Sequence, residues 1–158
     1  PEAQLDRFLF KVLVGYPTAE LETQLLSEAH ARPIHASPTS LGVNAVTSPE
    51  EILSLRDAVQ GVTVREDLCD YVVRLLRATR EDGALVMGAS PRAGVMILQA
   101  SKANAAIEGR DFVTPDDVKS VVPPALRHRV MLDPAEELQG ATADEALRRI
   151  LDRHEVPR

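Results

Sequence analysis

Residues 8–14 read Phe-Leu-Phe-Lys-Val-Leu-Val, an almost unbroken apolar run that Gly15-Tyr16-Pro17 brings to a stop. A short run of this kind, rich in aromatic and β-branched side chains and closed by a turn, has the pattern of a strand buried on both faces. Such a strand needs neighbours to pair with. No other segment has its quality: residues 41–46 and 129–132 are short and mixed. The simplest resolution is that the sheet lies upstream of Pro1 and that the opening segment belongs to a larger α/β domain. The chain begins at Pro1 rather than Met, so a fragment or processed product is expected.

The remainder reads as helices. The 158 residues suffice for one domain with a real core. Aromatics are only 3% and Trp is absent, so that core must be built from Leu, Val, Ile and Ala, which favours packed helices over a β-sandwich. Thr18 can cap a helix carrying Leu21, Leu25 and Ala29, which ends near Arg32-Pro33. Residues 33–47 form a loop with room for a short hairpin. Three helix starts then repeat one device. Ser48-Pro49-Glu50-Glu51 puts Ser at the cap, Pro at the first helical position and Glu three after the cap, a capping box. Thr114-Pro115-Asp116-Asp117 repeats it, with Val113 and Val118 set for a hydrophobic staple, and Ser90-Pro91-Arg92-Ala93 is the third. The apolar stripes expected are Ile52, Leu55 and Val59; Leu68, Val72, Leu75 and Thr79 with Leu76; and Met96, Ala100, Ala103 and Ile107. Gly109 stops the last of these. A final helix starts at Thr142, with Glu145 completing its box, and carries Ala146, Leu147 and Ile150.

The third helix start differs from the other two. They place acids in the first turn, where the helix dipole favours them by about 0.3–1 kcal/mol each. It places Arg92 there. Two readings are open: a surface Arg carrying a small electrostatic cost, or a cation that converges with free backbone N–H groups on an anion. The small residues leading to it, Gly83 to Ala89, read as a mobile approach. A second candidate is Arg7, just before the apolar run. At the rim of an α/β sheet it can reach a phosphate as a trans-acting finger, or it can pair with Asp6 or another surface acid.

Taken in order, the segments 1–8, Gly15-Tyr16-Pro17, Gly88-Ala89-Ser90-Pro91-Arg92, 108–118 and Leu126-Arg127-His128-Arg129 resemble the C-terminal part of the MoxR family of AAA+ ATPases. The resemblance runs over nearly the whole chain and is weakest at residues 33–47. It implies a mainly α fold: a helical-bundle lid domain at 18–158, preceded at 1–17 by the end of a truncated α/β ATPase core with its arginine finger and last strand. It further implies that Arg7 is the arginine finger reaching a neighbour's γ-phosphate. Arg92 would be the sensor 2 arginine, contacting nucleotide, and Tyr16 and Pro17 would sit at the adenine-enclosing hinge between core and lid. The cofactors implied are ATP and Mg²⁺ in the full-length parent. The partners implied are neighbouring subunits of a homo-oligomeric ring, with von Willebrand factor A domain proteins and client complexes beside them. The chain departs from the family in one respect: it has no G-x-x-x-x-G-K-[ST] loop and no acidic Walker B strand. Those parts hold the phosphates and Mg²⁺, so the segment alone is expected to bind no cofactor and to be inactive.

Other classes are disfavoured. A net charge of −6 and pI of about 5.2 weigh against nucleic acid. One Cys excludes an intrachain disulfide framework, and His30, His35, His128 and His154 lack ligand spacing, so no metal site is expected. Cys69 reads as a small core residue. Arg127-His128-Arg129 reads as a solvated face or a subunit contact, and Asp133, Glu136 and Glu137 as surface acids. No apolar run approaches the ~20 residues of a membrane span, and no secretory signal opens the chain, so a cytoplasmic location without membrane insertion is expected. The competing reading is a stand-alone helical protein-interaction adaptor without ATPase activity, in which Arg7 and Arg92 have no catalytic meaning.

Overall fold

A computed structural model of the chain describes residues 2–31 and 37–157. In order it contains α1 (Glu2–Leu5), α2 (Ala19–Ala31), a 3-10 turn (Thr39–Leu41), α3 (Pro49–Gly61), α4 (Glu66–Glu81), β1 (Leu85–Met87), α5 (Pro91–Ile107), α6 (Pro115–Leu126), β2 (Met131–Leu132), α7 (Pro134–Leu138) and α8 (Ala143–Arg153). The fold is mainly helical, with a single two-stranded antiparallel sheet among the described residues. The chain divides into two compact units, residues 1–12 with 56–158, and residues 13–55.

The larger unit holds the core. Helices α4, α5, α6 and α8 pack around Tyr71, Leu75, Ile97, Val118, Val122, Leu126 and Leu147, each no more than 2% exposed. The expected face of α4 is buried as read, joined by Tyr71. The face of α5 is rotated from expectation: Ala93, Ile97, Ala100, Ser101 and Ala105 are buried, while Ile107 is 81% exposed. Small residues line that face because α4 and α6 both press on it. A Cβ at Gly94 would lie 2.7 Å from Leu76 Cδ1 of α4, so glycine sets that approach. Cys69 is half-buried rather than a core residue, and lines an apolar surface cleft of about 280 Å³ between α4 and α5.

Both boxes of this unit form. Thr114 Oγ1 accepts from Asp117 N at 3.4 Å and Asp117 Oδ2 accepts from Thr114 N at 2.8 Å; Thr142 and Glu145 repeat the exchange at 3.2 and 2.9 Å. Asp117 goes further. Its buried carboxylate takes two 2.7 Å bonds from the Arg110 guanidinium and one from Asn104 Nδ2 at 2.7 Å, tying the end of α5 to the start of α6. Burial alone would raise its pKa. The Arg110, Thr114 and Asn104 donors outweigh that and hold it well below the usual carboxylate range.

In the smaller unit the expected caps form but the expected burial does not. Ser48 Oγ accepts from Glu51 N at 3.2 Å and Glu51 Oε2 accepts from Ser48 N at 3.0 Å. Leu21, Leu25, Ile52 and Leu55 are all 45% or more exposed, and no described residue of 13–55 is buried. The helices are set by local hydrogen bonds; the stripes have nothing to pack on within the unit. The end of the α2 reading, Arg32-Pro33, and the first part of the loop, together with His35, fall outside the described residues.

Residues 8–14 have no strand partner, and no ladder forms there. Phe8 is 59% exposed, Val12 73% and Val14 89%. The run is an orphan as a strand, as its isolation in the sequence implies: with no neighbouring strand it joins no ladder.

Candidate functional site

The approach to Arg92 is a built structure, in contrast to the mobile lead-in expected. Leu85 and Met87 of β1 pair with Leu132 and Met131 of β2. The chain then presses onto the end of α4. A Cβ at Gly88 would stand 2.6 Å from both Arg80 N and Thr79 O, so only glycine fits. Ala89 N donates to Thr79 Oγ1 at 2.9 Å, and Arg80 Nε donates to Ala89 O at 2.8 Å. The small side chains serve close backbone approach. Ser90 then caps α5, its Oγ accepting from Ala93 N at 3.4 Å. Arg92 follows in the first turn, exposed, with no acid beside it in that turn.

Arg7 is also exposed and lies in the turn after α1. Neither Arg7 nor Arg92 has a hydrogen bond or ion pair with any described residue, so the Arg7–Asp6 pair considered from sequence does not form. Asp6 faces elsewhere. Its Oδ1 accepts from Ser90 Oγ at 3.1 Å and from Arg129 Nε at 3.0 Å. Thus Asp6 joins the segment of Arg7 to the cap of the helix that carries Arg92. Tyr16 is 97% exposed and Pro17 is exposed; both belong to the unit of residues 13–55.

Arg127-His128-Arg129 is neither a solvated face nor a free basic patch. Arg129 is 4% exposed. Six acceptors surround its guanidinium: Asp6 Oδ1 at Nε, Leu9 O (3.1 Å) and Ala125 O at one amino group, and Asp6 O (2.8 Å), Phe8 O and Met96 Sδ of α5 (2.7 Å) at the other. His128 Nε2 lies 2.9 Å from Phe8 O. A carbonyl only accepts, so Nε2 carries the proton. Arg127 donates to Lys11 O at 3.2 Å and pairs with Asp144 of α8 at 2.9 Å, and Lys11 N donates to Pro124 O at 2.9 Å. Three consecutive side chains at the end of α6 therefore hold residues 6–11. The signal available in sequence was a charge between Leu126 and Val130, but its partners lie more than a hundred residues away. No group of three or more metal-ligating side chains gathers among the described residues.

Comparison with known proteins fits this architecture. Residues 77–150 match the AAA lid domain family. The chain is 35% identical over 158 residues to the uncharacterised protein YeaC of Bacillus subtilis, covering 99% of this chain and 48% of that protein. It is 40% identical over 141 residues to the chaperone MoxR1 of Mycobacterium tuberculosis, covering 84% of this chain and 36% of that one. A crystal structure of a candidate ATPase from Cytophaga hutchinsonii superimposes with a TM-score of 0.83 at 28% identity, over 100% of this chain and 49% of that one. The helical fold is thus that of a segment bearing an AAA lid domain. Within that class the chain is similar over most of its length to proteins named MoxR. It spans about half or less of the length of the curated relatives it matches. No helix among the described residues is long and apolar enough to cross a membrane.

Proposed function

We propose that this chain is the lid and arginine-finger segment of a MoxR-type AAA+ ATPase. In that reading a longer parent hydrolyses ATP with Mg²⁺ in the cytoplasm, as a homo-oligomeric ring, and uses the lid's movement to assemble or activate protein complexes. Von Willebrand factor A domain proteins are its proposed partners. The P-loop and the acidic residues for Mg²⁺ come from the rest of the parent, so the segment alone turns over no ATP. We keep a functional division at residue 17, with 1–17 closing the ATPase core and 18–158 forming the lid.

One observation carries the reading: Arg92 is an unpaired, exposed cation at the N-terminus of a helix that β1, Gly88 and the end of α4 hold in place. A cation there opposes the dipole, and the arrangement makes sense when a phosphate brings negative charge to both. Arg7 is equally unpaired, as a finger serving a neighbouring subunit needs to be. Tyr16 and Pro17, exposed at the boundary, are the proposed adenine-side residues. In the full-length protein, Arg92→Ala and Arg7→Ala should each lower ATP turnover by about 10²–10³-fold, the scale for losing one group that meets developing phosphate charge. Wild-type turnover in both variants would remove the assignment.

The adaptor reading is favoured by one observation, the exposed Leu21, Leu25 and Leu26 on α2. It predicts full function without ATP turnover, which the same assay decides.

A further inference from the structure

We propose that Asp6, Ser90 and Arg129 form a latch that fixes the Arg7 segment against the start of the Arg92 helix, and that all three are positioning residues for ATP turnover. The structural half stands on the contacts alone. The catalytic half rests on the reading of Arg7 and Arg92 above.

The donors of Arg129 are spent in a telling way. Of its six contacts four are with residues 6–9, one is with Ala125 of α6 and one with Met96 of α5 itself. The carbonyls of Asp6 and Phe8, on either side of Arg7, are both held by one amino group. The backbone of Arg7 is therefore gripped from both flanks while its side chain stays free. The Arg129 side chain is 1% exposed, and a buried charge with every proton committed is costly to displace. The Asp6 carboxylate then reaches past Arg129 to Ser90 Oγ at 3.1 Å. Ser90 is the cap of α5, two residues before Arg92. One carboxylate thus adjoins Arg7 in sequence and the start of the Arg92 helix in space. With this link closed, a change at the phosphate felt by Arg92 moves the Arg7 backbone too. Without it the segment can still hang from His128 and Arg127, but not in register with the α5 cap. Lysine cannot replace Arg129, since one ammonium with three donors cannot reach the acceptors that the guanidinium fork meets on residues 6–9, α5 and α6.

Spin labels test the latch on this chain. Arg7→Cys and Arg92→Cys carry nitroxides in a Cys69→Ser background; neither arginine has a partner to lose. A single narrow distance distribution is expected. Asp6→Ala and Arg129→Lys should lose the narrow component with helical circular dichroism unchanged. Ser90→Asp should lose it as well, because Asp is as good a cap as Ser yet sets a second carboxylate against Asp6. Ser90→Thr, which keeps hydroxyl and cap, should retain it. Should Arg129→Lys fail to fold, Asp6→Ala and Ser90→Asp still decide. A narrow distribution that survives both overturns the latch.

In the full-length ATPase the same variants should lower kcat by about 10–100-fold with KM for ATP nearly unchanged, the signature of misplaced catalytic groups. Broadened distances with wild-type kcat, in a protein that Arg7→Ala does inactivate, overturn the positioning role. Wild-type turnover in Arg7→Ala and Arg92→Ala instead defeats the reading of those arginines, and the distances still decide the latch.

Discussion

Individual side chains divide between those placed by near neighbours and those placed by distant ones. Asp117 is of the first kind: cap, ion pair and amide bond all come from residues within thirteen positions of it. Its removal should be felt. Asp117→Ala keeps Thr114 as the cap but loses the reciprocal half of the box and the bonds from Arg110 and Asn104, so a loss of roughly 1–3 kcal/mol is expected in urea unfolding. The pH dependence has a definite sign. A carboxyl held below its unfolded value stabilises fully above about pH 4, and the contribution drains away as the pH falls toward the lower folded value. Between pH 4 and pH 2 the melting temperature of the parent chain should therefore fall more steeply than that of Asp117→Asn; parallel curves would contradict this account. Tyr71 is the opposite case. Its hydroxyl is buried with no partner among the described residues. Tyr71→Phe should be neutral or stabilising by about 1 kcal/mol, since an unsatisfied polar atom is removed at constant shape.

Among the elements, the helix starts were the most legible part of the sequence, because a capping box is written within four residues. Ser48, Thr114 and Thr142 all cap as read. The strands were not legible. β1 has three residues and β2 two, too few for a period, and they pair across α5 and α6. The face of α5 was misplaced for a related reason: its apolar and small residues fall at several phases, so the stripe through Met96 and Ile107 is one of several on offer, and only the two flanking helices decide which is covered. Arg92 stands out in the sequence because it breaks a local rule. Asp6 and Arg129 do not, since nothing in their surroundings signals a bond spanning 123 residues. Gly88 was read as a sign of looseness and proves to be a point of close approach. Gly88→Ala should cost about 1–3 kcal/mol, the range for overpacking, because the obstacle is backbone rather than a side chain that can turn away. Retained stability in that variant would mean that the lead-in yields freely.

For the molecule as a whole, the core is confined to residues 56–158, while 13–55 contain no buried residue among those described. Stability should follow the same division. Amides of α2 should exchange far faster than those of α5 and α6, and limited proteolysis should cut first within 13–55 and leave the bundle intact. Equal protection in both would contradict the division. The grip of Arg129 on residues 6–9 has a consequence in time as well. Those carbonyls are made first and their donor more than a hundred residues later. At about 5–20 residues per second, the ribosome separates the two by roughly 6–25 s. Throughout that interval the segment around Arg7 has no Arg129 to close on, and the contact waits for the end of α6 to be synthesised and folded. The proposed arginine finger would thus be placed only on a chain whose lid is built at least through α6, so a copy cut short before Arg129 could offer a neighbouring subunit no ordered finger.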